Sequence, residues 1–185
     1  MPARRIRLGL GLGVLLAFGG GLGGCGWTPL YADVETSPAD ADLRAIKVDP
    51  IAERIGQRLE QALRQSLNPN GIETKQRYLL RTVLQATRLD LGVLTQGLGT
   101  RGKLDVVATY TLSDMTSGAR LLSAGSHTFE SFDILANGYA SVVAEDDART
   151  RAVEELRQDM MAHLTVLMQR RAAEAAAKSP AAAKP

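Results

Sequence analysis

The stretch that decides the fold is Lys103-Leu-Asp-Val-Val-Ala-Thr-Tyr-Thr-Leu-Ser-Asp114. Apolar and polar side chains alternate along it, which is typical of a β-strand because successive side chains point to opposite faces of a sheet. The apolar set comprises Leu104, Val106, Ala108, Tyr110 and Leu112. We therefore expect one buried face and one wetter face, as in an antiparallel sheet that packs on one side.

Three further segments are predicted to be strands of the same sheet. They are Arg44 to Val48, Tyr78 to Leu91 and Leu121 to Asp133. The sequence Asp114-Met-Thr-Ser-Gly118 predicts the hairpin turn that leads into the last of them. In that last strand, His127 and Phe129 fall on one face because they are two residues apart.

Two segments carry the three-to-four spacing of apolar residues that marks an amphipathic helix. The first is predicted to begin at Asp49-Pro50, because aspartate caps helices and proline suits the first helical position. Its end is predicted at the turn Asn68-Pro-Asn-Gly71. The second is predicted to run from Ser141 to Arg171. The apolar stripes are Ile51, Ile55, Leu59, Ala62, Leu63 and Leu67 in the first, and Ala144, Ala148, Ala152, Leu156, Met160, Leu164 and Leu167 in the second.

The order of these elements, β-α-β-β-β-α, favours an α+β fold. We expect a two-layer sandwich in which two helices pack on a mainly antiparallel four-stranded sheet. This domain would occupy residues 43–171. Residues 25–42 lack a helical period and contain Pro29 and Pro38, which predicts an extended tether. Residues 172–185 consist mostly of alanine, lysine and proline, which predicts a disordered tail.

The N-terminus has the layout of a secretory signal peptide. Arg4, Arg5 and Arg7 precede an apolar run from Leu8 to Leu22, and small residues follow. The run is too short and too rich in glycine for a membrane-spanning helix, which needs about 20 apolar residues. Cys25 follows directly after the small residues and is the only cysteine of the chain. This position predicts that Cys25 is a lipid attachment site. The alternative is an ordinary signal peptide with a chance cysteine.

Removal of a signal peptide covering residues 1–24 would leave 161 residues, since 185 − 24 = 161. That length suits one domain with a real core. Three arginines would leave with the signal, so the net charge of +2 would become −1, and nothing in the charge pattern indicates nucleic acid. If a lipid occupied the sulfur of Cys25, the domain could form no internal disulfide and no thiolate metal site.

Several motifs have the residue types that enzymes use, but none of them indicates an enzyme. Gly97-Leu-Gly-Thr-Arg-Gly102 spells a dinucleotide fingerprint, but a strand follows it where a helix would be required. We interpret it as a glycine-rich loop between two strands. His127 and His163 have no cluster of acidic residues, histidine or cysteine at metal-ligand spacing, so we expect no metal. No serine lies in a nucleophile-elbow pattern.

Arg101 and Lys103 place two positive charges at the start of the best strand. One interpretation is the exposed end of a hairpin. The other is a contact to an anionic ligand, since the planar guanidinium of arginine binds phosphate through two parallel hydrogen bonds. Lys75, Arg77 and Arg81 are looser candidates for the same role.

A family resemblance emerges from these segments together. The similar segments are Leu22-Gly-Gly-Cys25, which resembles a bacterial lipobox, Cys25-Gly-Trp-Thr-Pro-Leu-Tyr31, Ile51-Ala-Glu-Arg-Ile-Gly-Gln-Arg-Leu59, Pro69-Asn-Gly71, Arg77-Tyr-Leu79, Ser131-Phe-Asp133, Tyr139-Ala140 and Ala144-Glu-Asp-Asp-Ala148. Their order, with the length and the element sequence, resembles the LptE family of lipopolysaccharide-assembly lipoproteins in its alphaproteobacterial form. The resemblance covers nearly all of the chain after Cys25 except the tail.

The resemblance implies a non-enzymatic outer-membrane lipoprotein of the lipopolysaccharide translocon. Such a protein plugs the β-barrel LptD, assists its assembly, and with it delivers lipopolysaccharide to the outer leaflet. Cys25 would carry a diacylglycerol and an N-acyl chain such as palmitate, with no other cofactor. Gly26, where an aspartate would signal inner-membrane retention, favours the outer membrane and its periplasmic side.

The family has been proposed to bind lipopolysaccharide through basic residues. Those positions align near Gln96 and Ala144 of this chain, and neither is basic. Arg101 and Lys103 lie nearby and are the candidate lipopolysaccharide-binding residues. Two other functions remain open: a lipid-binding accessory lipoprotein of an envelope transport system, and an anchored hydrolase, for which no nucleophile–base set is evident.

Overall fold

The computed structural model describes residues 37–93 and 99–178. The predictions for the signal peptide, for Cys25 and for residues 179–185 therefore lie outside the described residues. The elements in chain order are α1 (Pro38–Arg44), β1 (Ile46–Val48), α2 (Arg54–Leu67), β2 (Tyr78–Val93), β3 (Gly99–Asp114), β4 (Arg120–Asp133) and α3 (Gly138–Lys178). Among these residues, no helix combines the length and the apolar character needed to cross a membrane.

The four strands form one sheet in the order β1-β2-β3-β4. β1 runs parallel to β2 over only three residues, whereas β2, β3 and β4 are antiparallel neighbours over most of their length. Leu80, Leu112 and Leu122 stand side by side in the register and point to the same face. The α+β fold with a mainly antiparallel four-stranded sheet is thus confirmed.

The core lies between one sheet face and the long helices. All five apolar residues predicted to line the buried face of β3 are buried, and so are Ile55, Leu59, Leu63 and Leu67 of α2. In α3, the predicted stripe from Ala148 to Leu164 is buried. The stripe continues to Met168, which is fully buried, rather than to Leu167, which is only partly buried.

The predicted start of the first long helix is wrong. That helix begins at Arg54, five residues after the predicted Asp49 cap. The Asp49 N–H instead donates to the Leu80 carbonyl over 2.9 Å and so extends the pairing of β1 with β2. Its carboxylate accepts from Arg81 Nε at 3.2 Å. Because the backbone and the side chain of Asp49 are both engaged with β2, neither is free to cap a helix.

A third, short helix lies where the tether was predicted to be extended. Residues Pro38–Arg44 form α1, which begins with a cap in which Ser37 Oγ accepts from the Asp40 N–H at 3.2 Å. Ala39 and Leu43 are buried in the core, and this packing stabilises a helix that would be marginal alone. Because α1 includes Arg44, the first strand begins at Ile46 rather than at Arg44.

The last helix is longer than predicted at both ends, and residues 172–178 are helical rather than disordered. The extension at the C-terminal end is alanine-rich, and alanine has the highest intrinsic helix propensity. At the N-terminal end, Asn137 Oδ1 accepts from the Tyr139 N–H at 3.0 Å. Residues 37–93 and 99–178 therefore contain three helices, of which two form the long layer that was predicted.

Candidate functional site

None of the helices α1 to α3 covers the second face of the sheet, and we call this face the outer face. It consists of the odd-numbered residues of β2, β3 and β4, which pair across the strands in rows. At the end of the sheet near residues 99–102, which we call the tip, one row contains Leu91, Arg101 and Asp133, and the next contains Leu89, Lys103 and Ser131. The third row contains Thr87, Asp105 and Phe129.

The candidate binding residues Arg101 and Lys103 lie together at this tip, each beside a carboxylate. Arg101 Nε is 3.7 Å from an oxygen of Asp133, and Lys103 Nζ is 3.7 Å from an oxygen of Asp105. Lys103 also lies 4.5 Å above the ring of Phe129. The Arg101–Asp133 pair is exposed, and an exposed ion pair contributes at most about 1 kcal/mol, so an incoming anion could displace Asp133. Lys103 and Asp105 are only partly exposed.

His127 belongs to the same cluster. Its Nε2 lies 2.9 Å from Oδ1 of Asp105, whereas Lys103 faces Oδ2 of the same carboxylate. The tip therefore holds two cations, one imidazole and two carboxylates on the outer face.

Exposed apolar side chains lie among these charges. The exposed large residues of the outer face are Val83, Leu89, Leu91, Val107 and Phe129, with Val83 67% and Phe129 60% exposed. Apolar side chains clustered on an uncovered face are typical of surfaces that bind another protein. The alternation of β3 predicted a wetter face, but it did not reveal that Phe129 and Val83 would project from it.

The looser candidates do not join this cluster. Arg77 and Arg81 lie at the opposite end of β2, where they face Asp42 at 3.1 Å and Asp49 at 3.2 Å. Arg77 also lies over the ring of Tyr78. Lys75 lies in the loop before β2 and lines a groove beside β1. The structure thus separates the five basic candidates into two at the tip and three at the far end.

A cavity of about 210 Å³ on the helix side of the tip escaped the sequence analysis. Four arginines from three elements line it, namely Arg54 and Arg58 of α2, Arg88 of β2 and Arg149 of α3, together with Glu53 and Asp146. Arg58 donates to both oxygens of Asp146, at 2.8 and 3.1 Å, and holds the pKa of that carboxyl below its usual range. No sequence signal could have found this cavity, because its arginines are scattered over 95 residues.

The lipid-binding alternative would need a deep apolar pocket between helices and sheet. The space between the layers is instead filled by fully buried side chains such as Leu59, Leu80, Leu156 and Met160. The cavity at the tip is small, and charged side chains line it together with Ile55, Ala86 and Leu104. The described part of the chain therefore lends this alternative no support.

The serine, tyrosine and histidine side chains near α3 form a structural network. Ser126 donates to Asp159, and Tyr110 Oη lies 2.5 Å from His163 Nδ1. Because the serine hydroxyl donates to a carboxylate rather than to the imidazole, His163 is not placed to activate it as a nucleophile. Within residues 37–93 and 99–178, no group of three or more histidine, cysteine, aspartate or glutamate side chains could hold a metal ion.

Comparisons with known proteins agree with this architecture. A candidate lipoprotein from Caulobacter crescentus CB15 superimposes with a TM-score of 0.58 at 22% identity, over 72% of this chain and 96% of that one. A minor lipoprotein from Acinetobacter baumannii gives a TM-score of 0.53 at 19% identity, over 65% and 90% of the two chains. These likenesses establish the fold. No curated protein matches the sequence.

A family match extends this likeness to the sequence itself. The family described as "LptE: Lipopolysaccharide-assembly" matches residues 43–164, which is more than half of the chain and includes every strand and most of α3. The chain therefore belongs to the LptE family of lipopolysaccharide-assembly proteins.

Proposed function

We propose that this protein is the lipoprotein subunit of an outer-membrane lipopolysaccharide translocon, where it plugs the barrel of LptD and assists its assembly. The observation that carries the proposal is the uncovered outer face, on a domain that matches the LptE family. The five large apolar side chains that are exposed on the outer face do not stabilise an isolated monomer by burial. A partner that covers them would remove them from water.

The outer face suits the wall of a hydrated barrel lumen. Charged and polar side chains surround the apolar ones, so contact with a polar wall leaves few groups without a partner. Two strand edges add to this surface. Among the described residues, β2 has no strand neighbour beyond Leu80 on its β1 side, and β4 is the outer strand of the sheet. Such edges present unpaired backbone N–H and C=O groups that a partner strand can satisfy.

The proposed anchor is Cys25, with a diacylglycerol on its sulfur and an acyl chain on its amino group. Each buried methylene contributes about 0.8 kcal/mol, so several chains together hold a protein on a membrane essentially permanently. The absence of aspartate at position 26 supports the outer membrane, with the domain on the periplasmic side.

Arg101 and Lys103 are the proposed contacts to lipopolysaccharide phosphates. They lie two residues apart on one exposed strand face at the tip. The arginine fork and the ammonium group are both suited to phosphate oxygens. The carboxylate beside Arg101 belongs to an exposed ion pair, so its exchange for a phosphate would cost little.

Affinity isolation of the tagged protein from outer membranes tests the partnership. We expect a large β-barrel to copurify, and depletion of the protein should reduce the lipopolysaccharide that reaches the cell surface. Recovery of a free monomer alone, or normal surface lipopolysaccharide after depletion, would overturn the proposal.

A matched pair of variants links the partnership to the outer face. Val83→Asp places a charge on an outer-face side chain that is 67% exposed, so it should leave the fold intact and reduce barrel capture. Met115→Asp changes a side chain of similar exposure in the β3–β4 turn and should leave capture unchanged. Equal capture by both variants would show that the outer face does not contact the barrel.

A further inference from the structure

An open groove of about 870 Å³ lies at the end of the domain opposite the tip. β1 forms one wall of this groove, and the loop of residues 71–76 forms the other. Basic side chains from separate parts of the chain line it: Arg44, Lys47, Arg64 and Lys75. The one acidic residue of the lining is Glu73.

The bare edge of β1 presents backbone donors to this groove. The Asp49 N–H bonds to Leu80, and the Ala45 carbonyl accepts from Tyr78, so the odd-numbered residues of β1 and its flanks face β2. Bonding alternates along a strand with one neighbour, so the N–H groups of Ile46 and Val48 point away from β2. Two amide donors therefore lie along the groove wall.

The available acceptors of this edge are fewer than its donors. Arg64 Nη2 donates to the Val48 carbonyl at 3.3 Å and thereby occupies it. An added peptide strand would need acceptors as well as donors along the edge, and only the Ile46 carbonyl remains. An anion needs donors alone. The geometry of the edge thus favours an anionic group over an extended peptide.

Three of the four cations are available to an anion. Arg64 is paired with Glu60 at 2.7 Å. Arg44, Lys47 and Lys75 form no ion pair with a carboxylate of residues 37–93 or 99–178. Glu73 is the only carboxylate among the described residues that line the groove, so this lining carries excess positive charge. Lys47 and Lys75 are exposed and can reach a ligand without disturbing the core.

We infer that this groove binds the phosphoryl head group of an anionic phospholipid in the membrane that carries the lipid anchor. The inference rests on the proposed lipidation of Cys25. β1 is the strand nearest to Cys25 in sequence. The twelve residues that follow Cys25, up to Ser37, can span at most roughly 40 Å. Tethering at this distance raises the effective concentration of head groups at the groove.

Amine labelling of the lipidated protein in vesicles tests the inference. The protein is reconstituted into phosphatidylcholine vesicles with or without phosphatidylglycerol, and the labelling rate of each lysine is measured by mass spectrometry. Lys47 and Lys75 should label about fivefold more slowly with phosphatidylglycerol, since a cation at an anionic surface gains roughly 1 kcal/mol. Lys178, an exposed lysine that does not line the groove, serves as the internal control and should label equally in both.

Two substitutions test the groove as a unit. Arg44→Gln removes one of the unpaired cations and should reduce the protection of Lys47 and Lys75. Arg54→Gln removes an exposed cation at the tip and should leave that protection unchanged. Equal labelling of the lysines in both vesicle types, or an equal effect of the two substitutions, would overturn the inference.

Two further controls show whether a negative or positive labelling result reports on the lipid anchor, on the groove or on a soluble anion. Flotation of the protein with neutral vesicles reports the anchor alone, so failure to float would refute the anchor and with it the membrane source of the ligand. Flotation without lysine protection would refute only the groove. Protection by inorganic phosphate in the absence of vesicles would assign the groove to a soluble anion and overturn the lipid source.

Discussion

The phenol oxygen of Tyr110 on β3 lies 2.5 Å from Nδ1 of His163 on α3, and the two rings stack with their centroids 6.3 Å apart. Tyr110 is buried and His163 is exposed, so the contact lies at the edge of the core. Burial raises the pKa of Tyr110, although its hydrogen bond with Ser126 opposes the shift. The phenol therefore remains protonated and can donate to the imidazole.

Tyr110→Phe should lower the free energy of unfolding by about 1 kcal/mol, the typical net contribution of one hydrogen bond. Urea unfolding measures the change. Tyr139→Phe is the control, because the Tyr139 side chain is 78% exposed and should contribute nothing measurable. Equal unfolding of Tyr110→Phe and the parent would show that the contact does not hold α3 on the sheet.

Val106→Asp should prevent folding, whereas Val107→Asp should leave stability within about 0.5 kcal/mol of the parent. Val106 is fully buried on the core face, and an unpaired buried charge costs several kcal/mol. Val107 projects from the outer face and is 39% exposed. Far-UV circular dichroism and thermal melting of both proteins check the assignment. A folded Val106→Asp protein with an unchanged melting temperature would refute it.

Gly102→Ala should destabilise the domain by about 1–3 kcal/mol, the usual cost of overpacking. A Cβ at Gly102 would meet the ring of Phe132, whose Cε2 atom would be 2.6 Å away. Adding Phe132→Leu should recover part of the loss. Gly125→Ala is the matched control, because its nearest atom would be 3.7 Å away. Chemical unfolding of the four proteins measures these effects, and equal stability of the two alanine variants would contradict the clash.

Glu154→Gln should make the domain less stable at neutral pH but not near pH 2. Hydrogen bonds from Arg157 and then Gln158 lower the pKa of Glu154 to about 2 from its ordinary value of 4.5. A depressed pKa stabilises the fold above the unfolded value of 4.5, and this contribution is lost as the pH falls towards 2. The side chain is half exposed, so the difference should be only about 0.5 kcal/mol.

Urea unfolding of parent and Glu154→Gln across this pH range measures that difference. Glu174→Gln changes an exposed carboxylate of the same helix that forms no ion pair within the described residues, and it should show no such pH dependence. A difference for Glu154→Gln that stays constant down to pH 2 would contradict the ion-pair origin.

Cys25→Ala should abolish membrane anchoring and leave the domain folded, because the cysteine precedes the first packed element at Pro38. Membrane fractionation with washing measures the anchoring, incorporation of radiolabelled fatty acid measures the modification, and thermal unfolding measures the fold. Retention of the variant in washed outer membranes would argue against lipidation as the anchor.

The sequence alone predicted most of the architecture, because the patterns that carry it are local. Alternation along Lys103 to Asp114 assigns each side chain of β3 to a face, since neighbouring strand residues must point in opposite directions. The three-to-four spacing of Leu59 and Leu63 likewise assigns the buried side of α2. Burial in the structure agrees with both assignments.

Element boundaries depended on contacts between distant residues. Asp49-Pro50 has the local chemistry of a helix start, but pairing with Leu80 and Arg81 keeps it extended. Pro38 to Arg44 has no distinct helical pattern, yet burial of Leu43 in the core stabilises a helix there. Sequence patterns within a few residues cannot report such competition.

The candidate sites divide in the same way. Arg101 and Lys103 could be chosen from sequence because they share a strand, and their two-residue spacing places them on one face. What surrounds them is tertiary: Asp133 and Phe129 reach them only through the pairing of β3 with β4. The arginine-lined cavity and the groove beside β1 likewise arise where separate elements meet, because residues far apart in the chain become neighbours only when the sheet and helices pack.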